Sequence, residues 1–271
     1  MNGCDVRLEG VRYAYGAREA LRGVSLRIGA GEQVALVGPN GAGKTTLTRL
    51  LVALRRPGAG RVTVGDWEVA HKRPDEMAQR VGYVFQHADH QLFARSIRDD
   101  VVFGPRRLGR SEALVPGVLE EMGLAAAAGL HPYDVPAPLR KLVALAGVLA
   151  MEPCVLVLDE PTAGLDRVQR DRVVSALQRR AEAGVTVLAV SHDLGFVAEV
   201  AARVVVMGDG RIVADRPARE LLYDREALAA LGLRPPPTVE ISGALGLRGS
   251  PVRTTEVVAV MGGIRWKQMP E

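Results

Sequence analysis

Between Val6 and Ile28 the chain alternates apolar and polar positions (Val6, Leu8, then Val24, Leu26, Ile28), and the turn formers Gly16, Gly29 and Gly31 interrupt the runs. A period of two broken by glycines predicts antiparallel strands. From Gln33 the pattern changes. Short unbroken apolar runs at 34–37, 81–85, 155–158, 185–190 and 204–207 alternate with helical periodicities. Strands buried on both faces read this way, so a mainly parallel sheet covered by helices is expected. One helix is predicted over 166–182, with Val173, Val174, Leu177 and Ala181 as its apolar stripe. Another is expected over 140–150, and Gly208-Asp209-Gly210 between Val206 and Ile212 predicts a hairpin turn.

These elements sum to an α/β domain over 1–234, with a helical insertion at about 86–149 and an antiparallel β-subdomain near the start. Pro235, Pro236 and Pro237 make a stiff boundary before a small appendage at 235–271. A chain of 271 residues, 48% hydrophobic and 24% charged, suits one large folded domain plus such an appendage. The longest apolar stretch, 142–151, is far short of the about 20 residues that cross a bilayer. The first ten residues carry acids and no apolar secretory core, so a cytoplasmic location is expected. Cys4 and Cys154 then read as two free thiols in a reducing compartment. The net charge of +4 comes from arginines interspersed with acids rather than from a basic stripe with aromatic partners, which argues against nucleic acid.

The strongest chemical signal is the run Gly38-Pro39-Asn40-Gly41-Ala42-Gly43-Lys44-Thr45, placed after the apolar strand 34–37 and before an apolar helix. Strand, glycine-rich loop and helix in that order make a P-loop. Small residues let backbone N–H groups face phosphates, and the helix N-terminus adds partial positive charge. Gly38, Asn40, Gly41, Ala42, Gly43, Lys44, Thr45 and Thr46 are therefore the candidate nucleotide-binding set, with Lys44 reaching the β- and γ-phosphates and Thr45 ligating Mg²⁺. Downstream, the run 155–158 ends in Asp159 and Glu160. Acids at the carboxyl end of a parallel strand lie where such sheets bind ligands. Asp159 is placed to hold Mg²⁺ and Glu160 to act as general base on the attacking water.

On these residues the chain closely resembles the ATPase subunits of ABC transporters over nearly its full length. The resemblance implies further roles. Tyr15 matches the aromatic that stacks on adenine, and Gln86 matches the glutamine that senses the transmembrane partner and joins the metal and nucleotide site. The stretch 161–166 matches the loop after the acidic pair, whose Asp166 lies toward the dimer. His192 matches the switch histidine at the γ-phosphate, so Lys44, Glu160 and His192 form the candidate catalytic set. The segments 81–93, 100–109 and 231–237 resemble the ATPases of energy-coupling-factor importers, which take up cobalt, nickel or vitamins. His87, Asp89 and His90 read as polar residues in a loop facing the membrane partner rather than as a metal site, since further ligands with suitable spacing are missing.

One segment departs from the family. Where it carries Leu-Ser-Gly-Gly-Gln, this chain has Val135, Pro136, Ala137, Pro138 and Leu139. The resemblance implies an importer ATPase using ATP and Mg²⁺ at the cytoplasmic membrane face, with separate transmembrane subunits, a solute-binding membrane component and a second ATPase subunit. The degenerate segment places a heterodimer ahead of a homodimer. A regulatory module with little hydrolysis is the alternative, and a soluble non-transport ABC ATPase is another, although neither a coiled-coil insertion nor a second ATPase domain is visible.

Overall fold

The computed structural model describes residues 3–262. Its strands are β1 (Val6–Tyr15), β2 (Arg18–Ile28), β3 (Gln33–Val37), β4 (Ala59–Val64), β5 (Trp67–Glu68), β6 (Val81–Val84), β7 (Val155–Asp159), β8 (Thr186–Val190), β9 (Arg203–Gly208) and β10 (Arg211–Pro217). The α-helices are α1 (Lys44–Leu51), α2 (Pro74–Met77), α3 (Ile97–Arg107), α4 (Val115–Glu121), α5 (Ala137–Ala150), α6 (Arg167–Glu182), α7 (Leu194–Val200), α8 (Ala218–Tyr223), α9 (Arg225–Ala230), α10 (Pro237–Ala244) and α11 (Thr254–Gly262).

The alternating N-terminal region forms an antiparallel sheet in the order β2-β1-β4-β5. Its register pairs Val6 with Ile28 and Leu8 with Leu26, which puts both apolar sets on one face. That face closes over α1, burying Leu47, Leu50 and Leu51 with Val6, Leu21 and Ile28. The apolar runs form a six-stranded sheet in the order β10-β9-β3-β8-β7-β6, parallel from β9 to β6 with β10 returning antiparallel. Every residue of β7 and β8 is buried, as a central parallel strand requires. The Arg211↔Gly208 pairing shows the hairpin turn at Asp209-Gly210.

Helices α3, α4 and α5 pack together on the β6 side, their core joining Ile97, Val101, Leu119 and Leu145 to Leu156 and Leu158. Helix α6 starts on a capping box: Asp166 accepts from Gln169 N at 2.8 Å while Gln169 Oε1 accepts from Asp166 N at 3.1 Å. Residues after the three prolines form α10 and α11, whose region buries Val239 and Val252 against Val197, Leu221 and Leu222. The end of the expected appendage, 263–271, lies outside the described residues.

Two expectations are corrected. Cys4 and Cys154 form a disulfide rather than standing as free thiols, with Cα atoms 5.4 Å apart. The segment leading into β1 runs beside the start of β7, Cys4 N donating to Cys154 O and Thr186 Oγ1 donating to Cys4 O at 2.8 Å. A pairing across 150 residues has no local signature in the chain. The second correction concerns α5, which begins at Ala137 instead of 140. Proline suits the first helical turn because its fixed φ is already helical and its missing N–H is not needed there. Residues 135–139 are thus the cap and opening turn of α5, with Pro136 as N-cap at φ −56°.

Candidate nucleotide site

Strands β3, β7 and β8 run parallel, so their carboxyl ends meet at one edge of the sheet. The loop after β3 passes between two backbones. Gly38 has φ 142°, and a Cβ there would lie 2.1 Å from Met207 O; at Gly43, φ 100°, a Cβ would lie 2.6 Å from Ala20 O. Only glycine fits both positions, and the result is a loop pinned by β9 on one side and β2 on the other. It delivers Lys44 as the first residue of α1, with Nζ donating to Gly38 O at 2.7 Å and Pro39 O at 3.0 Å. Burial draws the Lys44 ammonium below the usual lysine range, opposed by the nearby carboxylates of Glu160 and Asp159.

Thr45 Oγ1 donates to Asp159 Oδ2 at 3.0 Å, which joins the P-loop to the end of β7. Burial raises the Asp159 carboxyl above the ordinary aspartate range; the Thr45 hydrogen bond pulls it down, and the Glu160 charge pushes it up. Glu160 leaves the strand in a left-handed conformation, φ 51°, its N–H held by Val190 O at 2.9 Å. Its side chain meets the end of β8: Ser191 Oγ donates to Oε2 at 3.4 Å, and His192 Nδ1 lies 2.8 Å from Oε1. His192 itself is open to solvent, with 72% of its side chain exposed. Tyr15, at the end of β1, is exposed, with Thr46 Oγ1 3.5 Å from its hydroxyl and the Arg55 guanidinium 5.9 Å from its ring centre.

A cleft of about 740 Å³ unites Tyr15, Asn40, Gly41, Gly43, Lys44, Thr45, Thr46, Gln86, Asp159 and Glu160. That volume lies within the about 300–1,000 Å³ usual for small-ligand sites. Gly38 and Ala42 belong to the same loop but do not line the cleft, Gly38 lying against Met207 and Ala42 being buried, and His192 joins through Glu160. Residues 135–139 and Asp166 do not line this cleft. Two oxygen donors of hard character, the Thr45 hydroxyl and the Asp159 carboxylate, sit together below a phosphate-sized loop, which is a donor set suited to Mg²⁺.

Residues 21–163 match the ABC transporter family. The chain belongs to that family. Among its relatives, this ABC ATPase is 40% identical to the cobalt import ATP-binding protein CbiO of Rhodobacter capsulatus, over 93% of this chain and 94% of that one. It is 42% identical to the energy-coupling factor transporter ATP-binding protein EcfA2 of Symbiobacterium thermophilum, over 92% and 90%. The solved structure of cbiO1 from Clostridium perfringens, part of the ABC transporter complex cbiONQ, superposes with a TM-score of 0.73 at 30% identity, over 89% of this chain and 98% of that one. The dimeric post-hydrolysis state of an ATP-binding cassette bound to ADP and Pi superposes with a TM-score of 0.72 at 25% identity, over 79% and 98%. The ATPase fold and an ATP-binding site follow from membership.

Some features of this ABC ATPase were not read from its sequence. Arg18 lines the cleft, its guanidinium 3.7 Å from where a Gly41 Cβ would stand, and its side chain has no hydrogen-bond or ion-pair partner among the described residues. Lys141 on α5 donates to the Glu160 and Ala163 carbonyls. A separate apolar groove of about 250 Å³ opens between β6, α3 and α5. Its lip carries Phe93 and Phe103 packed edge to face at 4.7 Å, 63% and 45% exposed. Two exposed aromatics in a surface chain segment were the available signal for this groove.

Proposed function

We propose that this chain is the MgATP-hydrolysing subunit of an energy-coupling-factor type importer for a metal ion or vitamin. The observation that carries the reading is the meeting of Lys44, Thr45, Asp159 and Glu160 in one cleft beside Tyr15, with His192 against the Glu160 carboxylate. Tyr15 stacks on adenine and the loop N–H groups hold the phosphates. Lys44 leaves its two carbonyl acceptors for the β- and γ-phosphates, whose negative charge offsets the desolvation of its ammonium. Thr45 and Asp159 hold Mg²⁺, with Gln86 at the rim of the same cleft. When bound, the ion neutralises charge developing on the transferred phosphoryl group. Glu160 accepts the proton of the attacking water, and His192, against its Oε1, swings to the γ-phosphate.

Among the described residues no helix is long and apolar enough to cross a membrane. In this reading the pore and the solute-binding component are separate chains, in line with the similarity to a member of a cbiONQ complex, and this subunit sits peripherally at the cytoplasmic face. The apolar groove with Phe93 and Phe103 next to the loop after β6 supports docking to that transmembrane partner. The opening turn of α5 supports an asymmetric pair. In an ABC dimer this turn completes the partner's ATP site, and here Pro136 and Pro138 bring no N–H. A second, different ATPase subunit with an intact signature would complete this chain's own cleft. The same turn is also what would make the chain a regulatory module with little hydrolysis.

The test is ATP turnover of the chain purified with its membrane partners. Lys44→Ala should abolish hydrolysis and weaken ATP binding. Glu160→Gln should keep ATP bound while turnover falls by about 10²- to 10⁴-fold. Unchanged turnover in Glu160→Gln would overturn the assignment of the base, and negligible turnover of the wild-type complex would favour the regulatory module.

A further inference from the structure

The strained residue at the centre of the site is held from two directions. Glu160 adopts φ 51°, a region that a side-chain-bearing residue keeps only when its surroundings enforce it. On one side its N–H is fixed to Val190 O at the end of β8. On the other, its carbonyl accepts from Lys141 Nζ at 2.9 Å, and the same ammonium donates to Ala163 O at 2.8 Å. Lys141 therefore clips the turn 160–163 closed, alongside the weaker Ala163 N to Glu160 O contact at 3.4 Å. It is one of only four lysines in a chain that otherwise uses arginine. A compact ammonium with three donors suits two converging carbonyls better than a planar fork does. Burial draws Lys141 below the usual lysine range, with Glu160 and Asp159 countering it, so the ammonium is desolvated against the catalytic acids.

The position of Lys141 on α5 gives the clip a second meaning. Its neighbour Arg140 donates to Val135 O at 3.0 Å and to Tyr133 O at 3.1 Å, and it pairs with Asp89 at 3.4 Å. The opening turn of α5, the loop after β6 and the Glu160 turn are thus tied to two consecutive side chains on one helix.

We propose that Lys141 is a positioning residue for hydrolysis: it sets the Glu160 carboxylate by holding the Glu160 and Ala163 carbonyls, and so ties the catalytic turn to the opening turn of α5. The inference rests on Glu160 as the general base. Lys141 is not a lining residue of the nucleotide cleft, so its removal should leave ATP binding intact and slow the chemical step.

The test is steady-state ATPase activity of the full chain in its transporter complex, for wild type, Lys141→Met, Lys141→Arg, Glu160→Gln and the Lys141→Met/Glu160→Gln double variant. Lys141→Met should lower kcat by at least about tenfold, toward the about 10²-fold loss that a misplacement of order 1 Å causes. KM for ATP should stay within about twofold, and Lys141→Arg should recover part of the rate. In the Glu160→Gln background the added Lys141→Met change should cost less than about twofold, because the group it positions is already gone. Equal losses in both backgrounds, or an unchanged kcat in Lys141→Met, would overturn the proposal. If Glu160→Gln alone leaves turnover unchanged, it is the base assignment that fails instead. Should Lys141→Met not accumulate as folded protein, Lys141→Gln, which keeps one amide donor, is compared in the same two backgrounds.

Discussion

Rewriting residues 135–139 to the family's Leu-Ser-Gly-Gly-Gln should raise the turnover of the isolated chain while lowering its stability. The donors on the opening turn of α5 set the size of the first effect. Pro136 and Pro138 have no N–H, and Leu139 N is already spent on Pro136 O at 2.9 Å, which leaves the Ala137 N–H. The rewritten turn adds a serine hydroxyl and an N–H at 136 and an N–H at 138. One preorganised donor of this kind is worth about 10²- to 10³-fold in turnover. Such groups act as a unit and do not add, so the expected gain is about 10²-fold or more rather than the product of three. The second effect runs the other way. Each proline already adopts a conformation the helix start requires, and losing it frees the unfolded chain by about 0.4–1 kcal/mol. Two such losses, at about 2–4 °C per kcal/mol for a chain of this size, lower the melting temperature by a few degrees. Phosphate release at saturating MgATP and thermal denaturation on the same samples read both effects. A general improvement in folding would move them together, whereas restored donors move them apart. Brisk turnover from the unmodified chain, with no gain on rewriting, would refute both the donor argument and the asymmetric pair.

Tyr15→Ala should weaken ATP binding by about 1–3 kcal/mol if the exposed ring stacks on adenine, while Tyr15→Trp should be mild. Equilibrium binding of ATP to the three forms decides it, equal affinities returning Tyr15 to a purely structural role. Asp159→Asn should raise the melting temperature of the nucleotide-free chain near neutral pH while removing Mg²⁺-dependent ATP binding. The Asp159 carboxyl is raised by burial in the folded state, so it keeps its proton to higher pH than in the unfolded chain. Its effect on folding is therefore most favourable below the ordinary aspartate range and is lost as pH rises through the raised value. The advantage of Asp159→Asn should be clear at about pH 8 and shrink by about pH 4.5, as read by thermal denaturation. An advantage independent of pH would show that charge burial is not its cause.

What the chain determines locally, its sequence announces. The P-loop was legible because its chemistry is contiguous: glycines at positions of positive φ, a lysine at the helix start and a hydroxyl beside it all lie within eight residues after one apolar run. The runs that became β3, β6, β7, β8 and β9 were legible for a similar reason, since a strand buried on both faces must be apolar throughout. Asp166 caps α6 through a reciprocal pair of hydrogen bonds with Gln169, three residues on, a relation that is likewise local.

Relations between distant residues belonged to the tertiary structure alone. Nothing near Cys4 points to Cys154, because the antiparallel sheet must first dock against the parallel one before the two Cα atoms stand 5.4 Å apart. The helix expected over 140–150 starts earlier, at Ala137, with Leu142, Val143 and Leu145 packed in the core beside α3, Pro138 in its first turn and Pro136 as its cap, where a missing N–H does no harm. A lysine at 141 reads as one more surface charge until β7 brings the Glu160 turn beneath it. Propensity and motif act over a few residues and can be read in order; pairing, groove and clip depend on which faces the hydrophobic core forces together, and that is decided only when the whole chain has packed.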